Sequence, residues 1–176
     1  ESRFGTGRPA EVINDRRGKV RRLENNIPKL ERRIRDELEK SDRNIEHLLI
    51  DGNNVCYEGQ NFIELRALIA LLAALAGQFA ITVVFDASIR SLLKASTKDI
   101  KRRLGPSITT YIAPTKTGAD EYLLKLAGNL KTSFILSNDR YAEYHDFDAV
   151  KSERVLRFLI ADGKLMANDL DISVNI

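Results

Sequence analysis

The sequence contains one cysteine, two histidines, four prolines and no long uninterrupted apolar run. Each scarcity excludes something. Cys56 alone cannot form an intramolecular disulfide, so a reducing intracellular setting, the cytoplasm, is expected. His47 and His145 lack the spacing of a metal-ligand pair and read as structural residues. The longest oily stretch, Leu65 to Ala76, is interrupted by Arg66 and falls short of the roughly 20 apolar residues a spanning helix needs. A soluble protein with no membrane partner is expected. No basic segment leading into an apolar stretch and a small-residue cleavage site opens the chain. Its first residue is Glu1, which suggests a piece of a longer protein.

What is present is charge, unevenly distributed. The 176 residues are 43% hydrophobic and 30% charged, with a formal net charge of +3. Residues 1–46 hold 13 Lys/Arg against 10 Asp/Glu, whereas residues 47–176 hold 15 of each. The reading is therefore a basic N-terminal arm, 1–46, and a neutral domain, 47–176, large enough for one core.

Within the arm, residues 1–19 carry Gly5, Gly7, Pro9, Asn14, Asp15 and Gly18 with little periodicity, and read as a loop or disordered lead-in. Leu23, Ile27, Leu30, Ile34 and Leu38 then recur every three or four residues and place an apolar stripe on a helix. Pro28 is best placed in the first turn of a new helix capped by Asn26, so the spacing predicts a helix over 28–42. That stripe can pack on the domain or on a second copy, as a homodimer. The arm reads either as a solvated linker helix or as a basic arm that holds RNA.

From residue 47 the grammar becomes strands alternating with helices. Strands are expected at 47–51, 80–87, 108–113, 132–139 and 155–160, and helices at 61–77, 89–104 (broken near Ser96) and 119–129. Near-continuous apolar strands in sequential βα units argue a parallel sheet covered on both faces, a three-layer α/β sandwich preceded by a helical arm.

The acids sit in a pattern. Asp51 follows LLI, Asp86 follows VVF, Asp139 follows ILSN, and Asp120 opens the helix after the third strand. Carboxyl ends of parallel strands line one edge, where open α/β proteins bind ligands. Four acids converging there repel one another, and a hard divalent cation, Mg²⁺ or Mn²⁺, is the usual compensation. Such a centre suits phosphodiester hydrolysis. Asn53, Asn54, Ser137 and Asn138 stand beside the acids and can hold carboxylates or a water, and Gly52 permits a tight turn after the first strand. Against this, a lone Asp after a strand is often only a cap or turn former. Glu121, next to Asp120, reaches the metal or merely favours the helix dipole. Cys56 has no catalytic partner and reads as an inert buried thiol. Tyr57, Tyr111, Tyr122, Tyr141 and Tyr144 stack on bases or pack in the core.

IDGNNV (50–55), TKTGADEYLLKLA (115–127) and ILSNDRYAEY (135–144), with ERVLRFLIADGKLMANDLD (153–171), resemble the NYN branch of the PIN-like ribonucleases, in particular the catalytic domain of the CCCH-zinc-finger endoribonucleases called Regnase. The resemblance covers residues 47–171. It implies a magnesium-dependent endoribonuclease cutting single-stranded or loop RNA, with Asp51, Asp120, Glu121 and Asp139 around the metal; Asp86 is a candidate additional ligand, as in other PIN-like nucleases, and Asn54 a candidate catalytic residue beside them. Two departures stand out: the acidic pair is Asp-Glu rather than Asp-Asp, and Asp86 follows the second strand where those enzymes need not have a carboxylate; in addition, one cysteine cannot build the CCCH finger.

Arg90, Lys94, Lys98, Lys101, Arg102 and Arg103, with Lys116 and Arg140, are candidate phosphate contacts, although the same spacings describe an ordinary polar helix face. Rival readings are a catalytically inactive RNA-binding or scaffold module, a DNA nuclease, and a metal-dependent phosphatase. The last expects DxD at the first strand, where this chain has Asn53.

Overall fold

The computed structural model describes residues 9–41, 43–114 and 118–176. It separates into two units, Glu1–Arg43 and Asn44–Ile176.

The first unit is one helix, α1 (Pro9–Ser41), 33 residues long with Pro28 inside it. The expected loop over 1–19 is therefore corrected from Pro9 onward, and the expected break at Pro28 does not occur. Pro9 stands in the first turn, where its missing N–H costs nothing. Pro28 costs about 3 kcal/mol in a helix interior. The surrounding Arg, Lys, Glu and Leu are strong helix formers, and surface pairs such as Lys19–Asp15 at 2.8 Å add to them. Summed over 33 residues, this propensity carries the helix through one missing bond.

The second unit runs β1 (His47–Asp51), α2 (Gly52–Val55), β2 (Tyr57–Glu58), β3 (Asn61–Phe62), α3 (Arg66–Ala74), β4 (Ala80–Phe85), α4 (Ile89–Leu92), α5 (Thr97–Leu104), β5 (Thr109–Ile112), α6 (Ala119–Ala127), β6 (Ser133–Leu136), α7 (Asp148–Lys151), β7 (Val155–Leu156), β8 (Leu159–Ala161), β9 (Lys164–Ala167) and β10 (Ile172–Asn175). The central sheet has the order β5-β4-β1-β6-β7, with every neighbouring pair parallel. Successive side chains of a strand face opposite sides. Leu48, Ile50, Val83, Phe85 and Leu136 join α3, α5 and a three-stranded sheet of order β10-β9-β8 in one core; Leu49, Val84 and Ile135 join α6 in the other. The chain is thus an α/β fold with a parallel sheet covered on both faces.

Two local expectations are corrected, at residues 61–62 and 155–160, and a third, the break near Ser96, is borne out. Residues 61–62 form a strand rather than the start of the helix, which begins at Arg66. Residues 89–104 are two helices, and the second is closed by a capping box in which the Asp99 N–H donates to Ser96 Oγ at 3.2 Å and the Ser96 N–H to Asp99 Oδ2 at 3.3 Å. The strand expected over 155–160 divides between two sheets: β7 extends the parallel one, while β8 pairs antiparallel with β9. Asp162 and Gly163 between them have φ of 52° and 70°, the two positive values a tight hairpin turn requires.

Candidate active site

In the sheet order the chain leaves β1 toward β4 and β5, then returns to the other side of β1 with β6. The β1/β6 crevice is therefore the topological switch point, where the loops diverge and leave room for a ligand. Ser137 Oγ donates across it to Asp51 Oδ2 at 2.9 Å. Ser137 is fully buried and Asp51 only 3% exposed.

Asp51 ends β1 and caps α2. Its Oδ1 accepts the Asn54 backbone N–H at 3.1 Å, and its Oδ2 accepts the Asn54 side-chain amide at 2.9 Å as well as Ser137. Burial raises the carboxyl above the usual carboxylate range, these hydrogen bonds pull it back, and Asp86 adds a further upward push. Gly52 does not take a positive φ, so the turn expected of it is not its reason for being there. A Cβ at that position would collide with the ring of the buried Phe85, and the absence of a side chain lets strand and helix close over that ring.

Asn53 ties the adjacent strand end, its Oδ1 accepting the Asp86 backbone N–H at 2.8 Å. Asp86 Oδ1 in turn accepts the Ala119 N–H at 3.2 Å. This matters because the cap residue of α6, Gly118, has no side chain to offer. A carboxylate from β4 therefore fixes the start of the helix that carries Asp120. Asp120 is half-buried and pushed up to about 6, by burial first and then by Asp51, Asp139, Asp86 and Glu143. Those four acids form its field. Asp139 is exposed; its Oδ1 accepts the Tyr141 N–H at 2.8 Å and its own N–H donates to Ser137 Oγ at 3.0 Å.

The structure thus brings Asp51, Asp86, Asp120 and Asp139 to one edge. Glu121 instead forms an ion pair with Lys125 at 2.6 Å along α6. Among the described residues no three acidic, histidine or cysteine side chains come together as a ready-made metal cage. Asn138 links the loops, its N–H donating to Asn54 Oδ1 at 3.3 Å and its Oδ1 accepting the Phe158 N–H at 3.2 Å. Beside it a cavity of about 390 Å³ is lined by Asn53, Asn54, Tyr57, Gly59 and Asn138.

The basic residues scatter more widely. Arg90 lies on α4, which starts beside the carboxyl end of β4; Lys94, Lys98 and Lys101 are exposed; Arg102 pairs with Asp99 at 2.8 Å. Arg103 lines an apolar cavity with Ala80, Ile81 and Ile108, at the amino end of the strands. The segment therefore runs from one edge of the sheet to the other and does not flank the acids as a unit. Arg140 is exposed next to Asp139, and Lys116 lies outside the described residues.

Two residues at this edge, Glu143 and Arg157, escaped the sequence reading, and a third, Tyr141, reads from the sequence only as a base-stacking or core tyrosine. Glu143 sits on a 3-10 turn four positions beyond Asp139 and acts on Asp120, although no strand-end position announces it. Arg157 donates to the carbonyls of Ser137, at 3.0 Å, and Asp139; backbone partners 18 to 20 residues away leave no motif. Tyr141, at φ 49° and 1% exposed, has a buried hydroxyl without a hydrogen-bond partner among the described residues, near Ser137 but without bonding geometry to it. Burial and then Asp51 raise this phenol, which keeps it protonated. Of the other tyrosines, Tyr111 and Tyr122 stack on each other at 3.9 Å, and Tyr57 packs on Phe62 at 5.3 Å. Cys56 is buried and pushed up to about 12 by desolvation and then Asp51, which makes it a poor nucleophile.

No curated protein matches the chain. Residues 44–173 match the family model of the Zc3h12a-like ribonuclease NYN domain, across nearly the whole second unit and the acidic edge built above. With a parallel α/β sheet, acids at its carboxyl edge and most of its length inside that match, the chain belongs to the Zc3h12a-like NYN ribonuclease family.

Proposed function

We propose that the second unit is a divalent-metal-dependent endoribonuclease that hydrolyses phosphodiester bonds in single-stranded or loop RNA. The observation that carries this reading is the convergence of Asp51, Asp86, Asp120 and Asp139, with Asp120 pushed up to about 6 by burial and then by its acidic neighbours, in a member of a ribonuclease family.

The donor set suits Mg²⁺ or Mn²⁺. All its donors are hard oxygens, and Asp120 has no hydrogen-bond partner among the described residues. Asp86 and Asp139 each commit only one carboxylate oxygen. A few carboxylates with open positions match Mg²⁺, which dehydrates reluctantly and keeps several waters. Asp120, Asp139 and Asp51 would hold the ion, with Asp86 as a further donor. When bound, it supplies positive charge that stabilises the attacked phosphate and activates water near neutral pH.

The protein's own residues do the positioning. Asn54 and Ser137 fix Asp51 in one rotamer, Asp86 anchors the start of α6, and Arg157 braces the Ser137–Asp139 backbone. Asn53 and Asn138 line the cleft in which RNA would lie. Arg140, Lys94, Lys98 and Lys101 are the exposed cations available for phosphates, with Arg90 at the near end of the same segment. Water attack on phosphorus with loss of the 3′ oxygen yields a 5′-phosphate and a 3′-hydroxyl. A phosphatase using Asp51 as nucleophile is disfavoured, because three hydrogen bonds already hold this buried carboxylate.

The test is cleavage of end-labelled single-stranded RNA, hairpin RNA and single-stranded DNA with Mg²⁺ or Mn²⁺. We expect RNA cleavage that EDTA abolishes and that Asp51→Asn lowers by about a hundredfold or more. RNA cleavage surviving both treatments would overturn the proposal. Tight RNA binding without cleavage would identify a binding module, and preferential cutting of the DNA would make the domain a DNA nuclease.

A further inference from the structure

The first unit presents a face that a lone helix cannot cover. Along α1, Ile13, Val20, Ile27 and Ile34 recur every seven residues, and Leu23 and Leu30 follow Val20 and Ile27 by three. These are the a and d positions of a heptad. The six side chains stand exposed, Leu23 at 64% and Ile27 at 52%. Helices this polar are marginal in water without tertiary burial of an apolar stripe.

We infer that this seam is a parallel two-stranded coiled coil with a second copy of the chain. Its composition selects the partner. β-branched residues at every a position with Leu at the central d positions favour two parallel strands over three or four. The flanking charges select the orientation. In a parallel pair, a g residue meets the e residue five positions later on the partner helix, which sets Lys19 against Glu24. Reversing one helix in the register that matches Leu to Ile sets Glu24 against its own copy and Lys19 against Arg33. The Asp15–Lys19 contact does not compete strongly, since both side chains are about 60% exposed and such surface pairs are weak. The two residues least suited to a helix, Gly18 and Pro28, fall at f and b, outside the seam. Each assembled molecule then carries two copies of the ribonuclease-family domain.

The test uses the whole chain and reads assembly, so its outcome is independent of whether RNA is cut. Light scattering and sedimentation equilibrium should give twice the chain mass. Leu23→Lys with Leu30→Lys should reduce it to one, with the melting of the second unit unchanged, because that unit has its own core. Ile13→Cys should cross-link to itself under mild oxidation, whereas an antiparallel pair in that register holds those positions about 36 Å apart. The native Cys56 is buried and serves as the control. Lys19→Glu should weaken the dimer about threefold, and adding Glu24→Lys should restore it. A wild-type monomer, a trimer, a dimer unaffected by the leucine substitutions, or no cross-link at position 13 would each overturn the proposal.

Discussion

The two edges of the central sheet handle polar groups in opposite ways. At the amino edge the buried polar side chains among the described residues all have hydrogen-bond partners. Arg154, 3% exposed, donates to the carbonyls of Ala127, Gly128, Leu130 and Ser133 and to Asp148 at 2.7 to 3.4 Å, closing the end of α6 onto the start of β6. His47 sits between Thr82 Oγ1 at 3.0 Å and Ser133 Oγ at 3.3 Å. At the carboxyl edge acids are crowded together, Asp120 has no bond among the described residues, and a buried phenol goes unpartnered. A fold can bear such local conflict where a ligand is to relieve it, and the satisfied edge supplies the stability that permits it.

The contrast can be broken most forcefully at the satisfied edge. Arg154→Ala strands four carbonyls and Asp148, and should cost about 3–5 kcal/mol in urea or thermal unfolding while leaving cleavage per folded molecule intact. A loss of activity without a loss of stability would show that the two edges are not separate in role. Asp51→Asn is the mirror case: cleavage should fall about a hundredfold or more, equivalent to about 2.7 kcal/mol, with stability maintained or raised because a neutral amide is cheaper to bury. Ser137→Ala should lower cleavage about tenfold and stability by about 1 kcal/mol, since it removes one of three bonds positioning Asp51. A pure stability loss there would make the crevice bond structural.

The smallest effect concerns pH at the amino edge. Burial lowers the His47 pKa from 6.5, so the fold favours the neutral imidazole. Its contribution is present above pH 6.5 and is lost as pH falls through the lower folded value. A shallow decline in melting temperature between about pH 7 and 5, flattened by His47→Gln, is expected. An unchanged slope in the variant would place the acid sensitivity elsewhere.

How much of this was legible beforehand differs by residue. Asp51, Asp86 and Asp139 could be read as strand-end acids because a short, mostly apolar run closed by Asp, directly or after two polar residues, is a local pattern. Arg154 could not, since its partners are carbonyls 21 to 27 residues away together with one acid. The β8–β9 hairpin did have a local signal, Asp162-Gly163, which the continuous apolar run around it obscured. Pro28 misled in the other direction, because a single helix breaker is a weak argument against many strong formers.

The sequence by itself determined the parallel α/β class, the acids at the strand ends and the apolar stripe from Leu23 to Leu38, because these depend on periodicity and on neighbours a few positions apart. Only the tertiary structure decided which acids meet. It turned Glu121 along its helix to Lys125, gave Asp86 the work of anchoring α6, carried Arg103 to the far edge and added Glu143 and Arg157 to the site. The reason is physical: strand order and loop paths set distances between residues far apart in the chain, and electrostatic and hydrogen-bond energies depend on those distances rather than on sequence separation.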